Sequence, residues 1–579
     1  MKTLRAAVPV LLICIAMLIG CETTEGADCD GANCSRDAGV RTDGAPVADS
    51  AQPPSGIVTF KNAGETATAS FSAGNEAYVV VPYSVSTTAA DAIDFTIKLT
   101  TKTSGTRSYS MRWGGFPARK TDPVWAKRIA SRIAVERWTR GLRERAATMR
   151  MSPQSTVLSP VRRKFGHIAA CASGLSADCG ANEVCVKGQC TSEISGYNVT
   201  EFAPTTKAID LTVERKGQSV AILVEKGKTV AKADLDGLLQ AFQEVIALRD
   251  VALFGDPALK SGETRTSSDR NGDGMVWLVL SDTVAEKNSD AVGFFVGTDF
   301  ADVKDSANSN EADVLYCVLP SSGTPLPKIL PILAHEFQHL LNFATKVYRP
   351  KVNGGQGALE ELWLDEGLSH FAEDAVGYGG DNVTLLDQEL FPSFGDFSLF
   401  VNVKTGDTPG LRALALAFVR YLFEQKGGVS YLKEDPRPQD KGGATWLKAL
   451  LASDKAGVDG ITATYGDYKA AFNNWIAAVV LDGRDVTDFA AYNYAPLITD
   501  PLTGSAIGLV VRGTRKDASG SEITLQGPLE KKLNSGDNAD TIPNGGAKFF
   551  ALSGLTGEAT IEVTTQESDF RFAVIKVSK

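Results

Sequence analysis

Hydrophobic positions recur at helical spacing through the middle of the chain and at strand spacing on either side. Leu235, Leu238, Phe242, Val245 and Leu248 mark one long helix. Leu333, Phe337, Leu340 and Leu341 mark a second, and Leu364, Leu368 and Phe371, joined by Trp363, a third. The run Leu411–Phe423 (LRALALAFVRYLF) predicts a fourth, stopped by Gly427-Gly428. Trp446–Leu451 and Tyr468–Val480 continue the helical part. Upstream, Ile57–Phe60, Ala67–Phe71, Tyr78–Val81 and Phe95–Leu99 are β-rich and punctuated by Gly64, Gly74 and Asn75. Strands resume at Ala208–Val213, Val220–Val224, Val276–Leu280 and Val314–Leu319. After 490, Ile507–Val511, Phe549–Leu552, Ala559–Val563 and Phe572–Val577 predict a sandwich.

These patterns predict a multidomain α+β chain: a helical centre flanked by N-terminal and C-terminal β-domains. The expected order is a leader over 1–20, a tether over 21–54, an N-terminal β-domain over 55–115 and a basic helical segment over 116–165. A disulfide module over 166–192 and strands over 193–231 lead into a central domain over 232–485, and a C-terminal β-sandwich fills 490–579. No internal repeat is evident.

Composition adds bounds. The 579 residues are long enough for several cores, with 43% hydrophobic residues. A net charge of -10 gives no footprint for nucleic acid. The leader has Lys2 and Arg5 before an apolar run, Ala6–Gly20, that is too short to span a bilayer. It ends Leu18-Ile19-Gly20-Cys21, which looks like a bacterial lipobox and points to lipid on Cys21 and an exported, membrane-anchored protein. The tether has too few large apolar residues to form a core.

The basic segment is the most asymmetric stretch. Between Arg119 and Lys164 the only acids are Asp122, Glu136 and Glu144. Trp125, Ile129, Ile133 and Leu142 give it a partial apolar stripe. Three readings fit: a solvated helix linking domains, a helix laid on anionic membrane or on the acidic central domain, and a protease-sensitive propeptide. The cysteines Cys171, Cys179, Cys185 and Cys190 lack CxxC pairs, so they predict two disulfides rather than zinc. Cys29 and Cys34 can pair, and Cys317 is left as a buried thiol. Asp269, Asn271 and Asp273 resemble the start of an EF-hand loop, but Leu280 stands where the closing glutamate belongs. A turn into the Val276 strand is the main expectation there, with Ca2+ as the alternative.

The chemistry concentrates at His335-Glu336-Phe337-Gln338-His339. Histidines four apart project from one helix face and can share a metal ion, and Glu336 beside them can take a proton from water. Downstream, the helix Trp363-Leu364-Asp365-Glu366-Gly367-Leu368-Ser369-His370-Phe371-Ala372-Glu373 offers a third ligand, either Glu366 or His370. The HExxHxxGxxH pattern fails, because Asn342 and Thr345 stand at its last two positions.

HEFQH followed by WLDEGLSHFAED resembles the gluzincin metallopeptidases, most closely the hyicolysin family. The resemblance implies a thermolysin-like zinc catalytic domain with Glu366 as third ligand, Glu336 as general base and Glu373 as the partner that orients a ligand. His370, Tyr378, Tyr421 and Tyr431 are candidate donors to the oxyanion. It also implies that the edge strand before the histidine helix, read here as Val314–Leu319, pairs with protein or peptide substrate. A gluzincin aminopeptidase would share both motifs, but the G-x-M-E-N segment that holds a substrate amine is absent, which favours an endopeptidase. A non-catalytic binding lipoprotein on a peptidase fold is the alternative from another class.

Overall fold

The computed structural model describes residues 54, 56–62, 66–74, 76–87, 92–101, 123–151, 171, 176–186, 188–202, 208–255, 269–286, 291–400 and 407–578. The leader with Cys21, and the Cys29 and Cys34 pair, lie outside the described residues. Among the described residues no helix is long and apolar enough to cross a membrane.

The two flanking β-domains expected from sequence are one body. Val58–Asn62, Phe570–Lys576, Tyr78–Ser84, Phe549–Leu552 and Glu530–Lys532 form one sheet in that order. Thr66–Gly74, Thr556–Thr565, Ile93–Thr101 and Gly536–Ile542 form the other. Strands from both ends of the chain are therefore interleaved in each sheet. Ile93, Phe95, Ile97 and Leu99 point inward, while Asp94 and Lys98 face water, the period of a half-buried strand. They meet Val80, Phe550, Phe570, Phe572, Ile561 and Val563 in a shared core. Tyr78–Ser84 is buried on both faces, because its outer side packs on the helix Tyr468–Leu481. There Tyr83 stacks on Phe472 and donates to Asn473 Oδ1 at 2.8 Å. The expected strand Ile507–Val511 shrinks to Ala506–Ile507, and a hairpin of Arg512–Lys516 with Glu522–Gln526 follows.

The central domain is built on a six-stranded sheet. Its order is Gly293–Phe295, Val314–Cys317, Val276–Leu280, Val220–Glu225, Ala208–Lys216, Glu193–Asn198. The three middle strands beginning at 314, 276 and 220 run parallel. Gly293–Phe295 runs antiparallel to its neighbour and forms one edge of the sheet. This corrects the reading of Val314–Leu319 as edge strand. Its four paired residues are all buried, as a strand covered on both faces and flanked on both sides must be.

The Asp269–Gly274 stretch is a turn into that sheet. Asp269 accepts from the Gly272 and Gly274 amides at 2.8 Å. Asp273 accepts from Met275 N, Trp277 Nε1 and Ser176 Oγ. These carboxylate oxygens accept the hydrogen bonds that close the turn. The disulfides are Cys171–Cys185 and Cys179–Cys190. Cys317 is a free, buried thiol, and burial pushes its pKa far up. Iodoacetamide should therefore leave Cys317 unmodified in native protein and alkylate it in denaturant, as read by peptide mass mapping.

Candidate metal centre

Three helices and the sheet edge converge on one buried point. The first helix, Leu326–Phe343, is buried along nearly its whole length and carries His335 and His339 one turn apart. Their Nε2 atoms stand 3.1 Å from each other. The second, Leu362–Ala375, brings Glu366, with Oε2 3.4 Å from His335 Nε2 and Oε1 3.7 Å from His339 Nε2. Gly367 makes that approach feasible. A Cβ there would lie 3.0 Å from Ala415 Cβ and 3.1 Å from its backbone, so a side chain would push this helix and the helix Pro409–Gln425 slightly apart.

The third helix is the basic one, Pro123–Thr148. Its lone buried acid, Glu136, enters the same point, with Oε1 3.5 Å from His335 Nε2 and Oε2 3.6 Å from His339 Nε2. Ligand atoms of Glu136, His335, His339 and Glu366 all lie within 4.8 Å of one another. Neither the solvated linker nor the membrane-bound reading of this helix holds. Arg128 pairs with Asp381 at 2.7 Å, Arg132 with Glu373, and Arg140 and Arg143 approach Asp365 at 3.4 and 3.5 Å. Its basic side chains face the acidic residues of the central domain.

The donors suit a zinc ion. Four atoms bound tetrahedrally at about 2.0–2.1 Å stand about 3.3–3.4 Å apart, close to the spacings seen. Both Glu366 oxygens are buried without a hydrogen-bond partner, although the Arg412 guanidinium lies 2.9 Å away. Two carboxylates, two imidazole nitrogens and unpartnered buried oxygens are what a divalent cation would satisfy.

The surrounding shell fixes orientation. His335 Nδ1 meets Glu373 Oε1 at 2.8 Å, and His339 Nδ1 meets Asp365 Oδ1 at 3.1 Å, so each Nε2 faces the centre. Asn342 in turn donates to Asp365 at 2.8 Å. Burial opposes the charged form of Glu366, but Arg412 and the histidines hold its carboxyl well below the usual range. Glu373 is held down against burial by Arg132 and His370. Glu336 is pushed well up by burial and by the facing Glu136. Its Oε2 accepts from the edge-strand amide of Phe295 at 2.9 Å, and its Oε1 has no partner.

The structure brings together His335, Glu336, His339, Glu366 and Glu373. His370 lies on the other side of His335, rings 4.9 Å apart, with Nδ1 2.8 Å from Asn382 Oδ1. It shares a possible ligand group with His335 and Glu373, not with His339. Tyr421 and Tyr431 donate to the carbonyls of Ala491 and Ala375, and Tyr378 lies beside the Arg249–Asp500 pair. Glu136, Asp365, Arg143 and Arg412 were not anticipated. The available signal for Glu136 was a single acid, three residues after Ile133 and seven after Ile129, on the apolar stripe of a basic helix.

No family model matches the chain. Over 128 residues it is 31% identical to the Neutral metalloprotease ShpI of Staphylococcus hyicus, covering 20% of this chain and 27% of that protein. The chain thus matches about a quarter of that relative's length. The likeness supports a metallopeptidase relationship.

Gly367→Val should force the two helices apart, as overpacking does, and cost about 1–3 kcal/mol. Thermal unfolding monitored by circular dichroism checks this; an unchanged midpoint would show that the contact has slack.

Proposed function

We propose that this protein is an exported zinc endopeptidase with a thermolysin-like catalytic domain, acting on protein or peptide substrates. One observation carries the reading: the two histidine Nε2 atoms and the Glu366 carboxylate meet in a buried space at zinc spacing. His335, His339 and Glu366 would hold the ion. Zinc bound there lowers the pKa of a water to about 7 and polarises a carbonyl.

The chain's own residues do the rest. Phe295 N–H fixes one oxygen of Glu336, and the other is the one that would take the proton of an attacking water. Glu373 and Asp365 hold the imidazoles so that their outer nitrogens stay committed to the shell. Among the four candidate oxyanion donors, His370 adjoins His335 on its Nδ1 side, away from the centre, and Tyr421 and Tyr431 donate to carbonyls elsewhere, so no choice among the four follows. The edge strand Gly293–Phe295 would offer its remaining backbone groups to an extended substrate. An intact Glu336 beside intact ligands argues against a non-catalytic scaffold.

Metal analysis with casein digestion tests the assignment. Glu336→Gln should keep about one zinc per chain and lose about 10²–10⁴-fold in hydrolysis, the range of general base catalysis. Glu366→Gln should lose zinc as well as activity. Normal zinc in Glu366→Gln with loss in His370→Ala would transfer the third-ligand role and remove the gluzincin reading. The Leu18–Cys21 site supports a lipid anchor, so Cys21→Ser should move the protein from the membrane to the soluble fraction.

A further inference from the structure

The metal centre contains one carboxylate too many for an open catalytic site. A catalytic zinc ion keeps its fourth position for water or substrate. Here Glu136 reaches both histidine Nε2 atoms at the same range as Glu366. It also faces Glu336. Glu136 therefore stands where a water would lie between the ligands and the base. A carboxylate buried against two others is costly without a cation or cationic partners. A helix serving only as a brace would have no use for one there.

The rest of the helix is fitted to the same cleft. Trp138 meets Phe294 of the edge strand edge-on, with ring centroids 5.1 Å apart. Arg143 lies against Gly297, where an added Cβ would come within 3.1 Å of its Cα. Arg132 reaches Glu373, the residue that orients His335. A cavity of about 660 Å³ remains beside the helix, between Arg128 and Ile129 on one side and Gly293, Leu319 and Ile332 on the other. The helix thus lies along the strand edge that a substrate would use.

We propose that the helix Pro123–Thr148 is a built-in inhibitor whose Glu136 is the fourth metal ligand, and that substrate enters only when this helix withdraws. The proposal rests on the zinc reading above. The closing measurement separates the two. Full-length wild type, Glu136→Ala and the isosteric Glu136→Gln are loaded with Co2+ and titrated with acetohydroxamate, following the visible cobalt bands. Both variants should retain about one cobalt per chain, since three ligands remain. They should bind acetohydroxamate at least about 10-fold more tightly than wild type, because the wild-type position is filled. Equal hydroxamate binding in all three proteins overturns the inhibitor while leaving the metal centre intact. Failure of all three to bind cobalt overturns both. Casein hydrolysis is not the readout, because in both variants the helix still lies along the strand edge. Glu136→Gln preserves side-chain volume, so it carries the test if the alanine variant does not fold.

Discussion

Everything near the centre depends on keeping buried carboxylates charged without water. Glu136, Asp365, Glu366 and Glu373 all lie out of solvent within reach of the two histidines. Isolated, each would take up a proton or drive the helices apart. Arg132, Arg143 and Arg412 supply the compensating charge, and none of the three is free to move to the surface. Arg412 is itself fixed by Asp407 through two hydrogen bonds, at 2.9 and 2.6 Å. The helix packing follows from this network. Gly367 permits a close approach that brings Arg412 and Glu366 together, and the basic helix is held by ion pairs as much as by its apolar stripe.

The legible parts of the chain were those whose chemistry and spacing are local. His335 and His339 declare themselves because one helical turn separates them, whereas Glu366 is set above His370 only by the family resemblance of the segment Trp363–Gly367. The helices from 409 and 468 could be read from apolar repetition alone. Glu136 could not be placed at the centre, because its partners lie far along the chain and its position on the apolar stripe says only that it is buried. A run of arginines normally means a solvated face. Here those arginines answer acids on the histidine-bearing domain, a match that exists only after folding.

Strand pairing failed for a related reason. Periodicity identifies Ile93–Thr101 as half-buried but is silent about its neighbours, which are Thr556–Thr565 and Gly536–Ile542. Two separate β-domains were the economical reading of two separate strand-rich stretches. The edge strand was misplaced because Gly293-Phe294-Phe295 is only three residues long, whereas Val314–Leu319 is a longer apolar run. Unbroken apolarity was itself the clue that Val314–Cys317 is interior, since an exposed edge rarely has both faces and both sides covered.

The interleaved sandwich also constrains how the chain reaches its native state. Lys576 pairs with Glu76 across 500 residues of sequence. In a chain synthesised N-terminus first, the strands between 58 and 101 emerge long before the strands between 530 and 576 that complete their sheets. Their apolar faces and open edges must wait, unpaired, while the whole metal-centre domain is made. Closure of this sandwich is therefore a late event that reports on the integrity of everything between its two halves. Until then the early strands present a surface for holding chaperones or for aggregation.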